Sequence, residues 1–163
     1  RLWRDHGRDD NGYVVPGGLY SRLDNMQAAL LHFKFKTYPE EIKRRREIAG
    51  LYHQRLSTLK QLALPPGPHE NVDYFDVYQN YEIEADRRDQ LKAYLAEKGV
   101  GSIIQWAGKA VHQLKGLPDF KGVSLPVTEK MTARFLMLPL HTALTNQEVE
   151  YVCDRITEFY RNQ

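Results

Sequence analysis

The stretch that most narrows what this chain can fold into lies near its end. Thr145-Asn146-Gln147-Glu148 has the T-x-x-E form of a capping box, in which hydroxyl and carboxylate satisfy the first free amides of a helix. Val149, Val152, Ile156 and Phe159 follow at helical spacing on one face. A helix with one apolar stripe must cover that stripe, so it demands a second layer. Upstream, Phe75, Val77, Tyr81 and Ile83 alternate as a half-buried strand does, interrupted at Gln79. Helix over strand is therefore the first expectation.

Two more helices precede the strand. Ser21-Arg22-Leu23-Asp24 has the S-x-x-D form of a capping box and predicts a helix from about Arg22 to Phe35. Its Leu23, Met26, Leu30 and Phe33 make a packing face. At Tyr38-Pro39-Glu40-Glu41 a proline at the first helical position and acids in the first turn open a long helix. Ile48, Leu51, Tyr52 and Leu59 are its buried stripe, opposite Lys43 to Arg46. Leu62 to Asp73, with three prolines, reads as a linker. "ADRRDQLKAYLAEKG" predicts a short helix with Leu91, Tyr94 and Leu95 inward and Gly99 as its stop. "VGSIIQW" and "FLMLPL" read as extended pieces, and Ala107 to Thr128 as a long loop with one helical turn near His112. The fold class expected is α+β, a small mixed or antiparallel sheet packed with helices.

With 163 residues, 42% hydrophobic and 27% charged, the chain suits one domain or a domain with an appendage. A formal net charge of +2 is too small to argue for nucleic acid or a membrane surface. The lone Cys153 leaves no intrachain disulfide or cysteine metal cluster, which fits a reducing cytosol and a cytoplasmic protein. "KRRRE" at Lys43 to Glu47 has Glu40, Glu41 and Glu47 within helical reach, so it reads as a solvated, ion-paired face. The six histidines (6, 32, 53, 69, 112 and 141) show no metal-ligand spacing, and no metal site is expected. His112 and His141 fall in loops after apolar stretches, where binding residues collect. "VPGGLYSR" is the one anion-cradle candidate: glycines permit close approach, the helix start offers amides, and Arg22 can pair with phosphate. For such a stretch taken alone, a plain turn with a cap is the commoner explanation. The chain opens at "RLWRDHGRDD", without Met and in mid-pattern, as a fragment of a longer protein would.

Taken in order, "RDHG", "GGLYSRLDNMQAALL", "RRREIAGLYHQRL", "YQNYEIEADRRDQLKAYLAEKGV", "AVHQLKGL", "LPVTEK" and "LPLHTALTNQEVEYV" resemble the DegT/StrS-type sugar aminotransferases. The resemblance implies an aspartate-aminotransferase-like fold and pyridoxal 5'-phosphate as cofactor. Its substrates would be a nucleotide-linked keto-sugar and an amino donor such as glutamate, in a homodimer engaging neither nucleic acid nor membrane. Residues 1–37 would be the end of the large domain with a dimer-facing loop and helix, and 38–163 the C-terminal small domain. The family's cofactor-bearing lysine lies upstream of the R-x-H-G motif, here Arg4 to Gly7, and none of the ten lysines has its flanking residues. The chain alone is therefore expected to be inactive. Tyr20, Ser21 and Arg22 would reach the cofactor phosphate of the partner subunit, with Tyr20 standing where many relatives have asparagine. Gln105, Trp106, Lys109 and His112 would line the sugar-nucleotide pocket, Trp106 stacking on a base and Lys109 meeting a diphosphate. A dehydratase of the same family and a non-catalytic binding or regulatory module are the alternatives.

Overall fold

Thr145 and Glu148 form the capping box that opens the last helix. The Thr145 amide donates to Glu148 Oε2 at 2.8 Å and the Glu148 amide to Thr145 Oγ1 at 3.2 Å. The structure, a computed structural model, describes residues 2–69, 75–116, 120 and 122–161. These divide into two compact units, Arg1–Pro39 and Glu40–Gln163.

In the second unit, strands β1 (Leu62–Ala63), β2 (Tyr81–Ala85) and β3 (Phe135–Leu138) form an antiparallel sheet in that order. The register pairs Leu62 with Ala85, and Tyr81 with Leu138 through Glu84 with Phe135. The fold is α+β, as its sequence pattern predicts. The pleat sends Tyr81, Ile83, Ala85, Leu136 and Leu138 to one buried face. That face packs with Ile48, Tyr52 and Leu56 of α2 (Tyr38–Leu56) and with Leu91 and Leu95 of α3 (Arg88–Glu97). Val149, Val152, Ile156 and Phe159 of α5 (Asn146–Arg161) complete the cluster, the stripe read from the sequence. Each large side chain buried there contributes about 1.5–3 kcal/mol. Cys153 lies among them, and burial pushes its thiol up to about 12, so it is inert as a nucleophile. The opposite face of the sheet carries Glu82, Glu84, Phe135 and Met137.

Several expectations are corrected. The strand starts only at Tyr81, because Tyr78 turns inward with φ +49° and leaves Phe75 70% exposed. Leu62 and Ala63 of the expected linker form β1, and the Tyr78 hydroxyl donates to Pro66 O at 2.6 Å, anchoring the prolines beyond that strand. Residues 70–73 of that linker lie outside the described residues. "VGSIIQW" is extended only around Ile103, which bridges Met137. The expected loop ends in a helix, α4 (Pro126–Thr132). The arginines after Lys43 are not a solvated face. Arg44 reaches Leu144 O, Arg45 reaches Gln79 O at 3.0 Å, and Arg46 reaches Asp76 O at 2.6 Å, so each ties α2 to a loop. The Arg44–Glu47 pair (3.3 Å) fits the ion-paired reading of that run.

The first unit holds a 3-10 turn at Leu2–Arg4 and helix α1 (Asn25–Lys34). The expected cap is one turn out of place: Asp24, not Ser21, accepts the amides of Met26 and Gln27, at 2.8 and 3.3 Å. Leu23, Met26, Leu30 and Phe33, expected as a packing face, are all more than half exposed. Among the described residues no helix is long and apolar enough to cross a membrane.

Candidate functional site

Two arrangements hold the residues singled out from the sequence, one in each unit. In the first, the "RDHG" turn and the "GGLYSR" loop are a single piece of backbone. His6 N donates to Leu19 O (3.0 Å), Leu19 N to Trp3 O (2.7 Å) and Ser21 N to Arg4 O (2.8 Å). This explains the glycine pair without any ligand. Gly17 has φ +86°, and a Cβ on Gly18 would lie 2.0 Å from Gly7 N. The α1 amides expected to face an anion are taken by the Asp24 carboxylate. What remains is a set of exposed side-chain donors. The Arg22 guanidinium lies 5.5 Å over the Tyr20 ring, and its Nε sits 3.5 Å from Asp5 Oδ1. The Tyr20 ring lies 5.2 Å from that of His6. A hydroxyl, a phenol and a guanidinium on one exposed loop suit a phosphate chemically. The fit rests on these side chains rather than on a helix terminus.

In the second unit, residues 105–114 and α4 border the open face of the sheet. A cavity of about 780 Å³ lies there, lined by Gln105, Trp106, Lys109 and His112 together with Glu82 and Phe135. The structure thus brings all four sequence-derived pocket residues together. The chain makes this possible with three consecutive left-handed residues, Trp106 (φ 51°), Ala107 (φ 54°) and Gly108 (φ 68°). That reversal presents the Trp106 ring, which is 79% exposed. Gly108 allows the turn to approach α4, since a Cβ there would meet Thr132 O at 3.3 Å. Arg88 holds the rim from below, donating to Phe135 O at 3.0 Å.

His112 sits on a 3-10 turn, Val111–Gln113, with its side chain 5% exposed. Its Nε2 lies 3.0 Å from Glu129 Oε1 of α4. The same oxygen accepts the Leu125 amide at 2.9 Å. An ionised carboxylate only accepts, so His112 carries its proton on Nε2. The Leu125 amide, and then the His112 contact, hold the Glu129 carboxyl below the usual carboxylate range. His112 therefore braces α4 against the turn rather than offering Nε2 to a ligand.

Sequence reasoning missed Glu82, Phe120, Leu125 and Phe135 in this cavity. Glu82 alone left a trace, as an acid between buried strand positions, and such acids ordinarily face water.

The sequence model of the DegT/DnrJ/EryC1/StrS aminotransferase family matches residues 1–157. The chain belongs to this family. Among curated members it is 32% identical to a pleiotropic regulatory protein of Geobacillus stearothermophilus, over 99% of this chain and 44% of that protein. It is 30% identical to the UDP-2-acetamido-2-deoxy-3-oxo-D-glucuronate aminotransferase of Pseudomonas aeruginosa, over 93% of this chain and 41% of that enzyme. The crystal structure of a DegT/DnrJ/EryC1/StrS aminotransferase from Brucella abortus matches with a TM-score of 0.81 at 32% identity. That match covers 98% of this chain and 42% of the crystallised one. The chain thus spans about two-fifths of the length of the family members it matches.

Proposed function

We propose that this chain is the C-terminal part, the end of the large domain together with the small domain, of a pyridoxal-phosphate-dependent aminotransferase that makes an amino-sugar from a nucleotide-linked keto-sugar. The observation that carries the reading is the gathering of Gln105, Trp106, Lys109 and His112 around one mainly apolar cavity. Such a cavity with a few convergent polar groups is the usual form of a small-molecule site. Trp106 offers a ring face to a base or sugar, Lys109 a cation to the diphosphate, and Gln105 an amide that can donate and accept. Ser21 and Arg22, with the Tyr20 phenol, would hold the cofactor phosphate of a partner subunit in a homodimer. When bound, the cofactor supplies the electron sink for amino transfer from a donor such as glutamate. None of the ten lysines stands in the family's cofactor-bearing context, so the chain by itself should be inactive.

The test is direct binding. Isothermal titration with UDP-, dTDP- and GDP-linked sugars should give saturable binding of at least one of them. Trp106→Ala should weaken it about tenfold, as loss of a stacking ring does. Binding unaffected by that change would refute the placement of the site. Incubation with pyridoxal phosphate followed by desalting should leave no visible absorbance. A stoichiometric retained band would refute the inactivity of this chain.

A further inference from the structure

Glu82 stands out in the cavity. It sits on the open face of β2 opposite Met137, and it is the one carboxylate among the described residues lining the cavity. Lys109 lines the same cavity, while two neighbouring guanidinium groups are engaged elsewhere. Arg134 lies 3.2 Å from Glu84 and also pairs with Asp86, and Arg88 is donated to Phe135 O. Its described neighbours in the lining are mostly apolar, among them Val111, Leu114, Val123 and Phe135. Burial pushes the Glu82 carboxyl above its ordinary value. A carboxylate partly withdrawn from water, with no ion-pair partner among the described residues, costs stability. An apolar residue there would extend the cavity wall at no such cost.

We propose that Glu82 is a specificity-determining residue of this pocket: it accepts a hydrogen bond from a neutral N–H or O–H donor of the bound nucleotide sugar and bars an anionic group from that position. The inference rests on the nucleotide-sugar reading above. An ionised carboxylate accepts only, so it selects donors, and a ligand carboxylate beside it meets like charge. The donor has two possible sources, the imide N–H of the base or a sugar hydroxyl, and the chemistry at Glu82 is the same for both.

Titration of UDP, UDP-glucose and UDP-glucuronate into the unaltered chain, Glu82→Gln and Glu82→Leu separates them. Gln keeps the shape and a neutral acceptor, so it should weaken the recognised ligand about fivefold, and Leu more than about tenfold. If the donor is a sugar hydroxyl, UDP-glucose weakens while UDP is unchanged, and the preference over UDP-glucuronate shrinks. If the donor is the base, UDP and UDP-glucose weaken together. All Kd values within about twofold in both variants would overturn the role of Glu82 while leaving the nucleotide-sugar reading standing. An unaltered chain that binds none of the UDP-, dTDP- or GDP-linked sugars would overturn both. Lys109→Met distinguishes the two further: it should weaken every diphosphate while preserving the order set by Glu82.

Discussion

The left-handed turn beneath Trp106 makes a prediction opposite to ordinary experience with glycine. Ala107 sits at φ 54°, ψ 29°, a conformation an L-residue adopts at a cost of about 1–2 kcal/mol. Glycine adopts it freely, but replacing alanine with glycine also loosens the unfolded chain, by about 0.4–1 kcal/mol. Ala107→Gly should therefore stabilise the protein by about 0.5–1 kcal/mol. Ala110, three residues on, lies at φ −79°, ψ 162°, where alanine is at ease. Ala110→Gly relieves nothing and should cost about 0.4–1 kcal/mol. The two substitutions thus differ by about 1–2 kcal/mol for the same chemical change. In urea, at a slope of about 2 kcal/mol/M, the midpoints should separate by about 0.5–1 M. Equal losses in the two variants would refute the left-handed geometry. A functional arm accompanies this one. Freeing the turn leaves the Trp106 ring to be ordered at binding, so Ala107→Gly should gain stability and lose nucleotide-sugar affinity together.

Val152 is 4% exposed on the inner face of α5, and Val152→Asp should cost about 3–5 kcal/mol or abolish folding, read from the thermal melt. Gly18→Ala would place a Cβ 2.0 Å from Gly7 N, so amide resonances of His6 and Leu19 should shift while those of β2 and α5 do not. Glu129 and Glu148 are both held below their ordinary carboxyl value of 4.5, each chiefly by a backbone amide. The folded state therefore binds fewer protons than the unfolded one. Their stabilisation is present above about pH 4.5 and is lost as pH falls through the lower folded values. Melting temperatures from pH 6 downward should fall more steeply for the unaltered chain than for Glu148→Gln.

Local signals transferred well where one residue type has one strong use. The Thr145–Glu148 box, the α5 stripe and the Gly99 stop (φ +76°) are all observed. Where the sequence reading failed, a tertiary contact decided. Ser21 and Asp24 are both good cap residues, and Asp24 wins because the Ser21 backbone is drawn into the bond with Arg4 O. The alternation from Phe75 onward, interrupted at Gln79, implied a strand, yet Tyr78 breaks the period with a positive φ that no local rule requires of a tyrosine. The arginine run has acids within helical reach, yet beyond the Arg44–Glu47 pair its three guanidinium groups go to main-chain oxygens on distant loops. Those oxygens carry no trace in a side-chain pattern.

The candidate pocket was legible as residues and not as a place. Gln105, Trp106, Lys109 and His112 lie within eight positions, so motif order could find them together. Glu82 and Phe135 reach the same cavity from two different strands, and only the pairing of Glu82 with Met137 and Glu84 with Phe135 puts them on that face. The pleat then divides the labour of the sheet. Tyr81, Ile83 and Ala85 face the helices and carry stability, while Glu82, between them, faces the cavity. Successive strand positions thus answer to different demands, and a change at Glu82 alters what the pocket meets without opening a gap in the core. A one-residue slip of β2 would exchange the two sets and bury both Glu82 and Glu84 against α2 and α5. The register that holds the core together is therefore also what keeps the cavity's carboxylate in place.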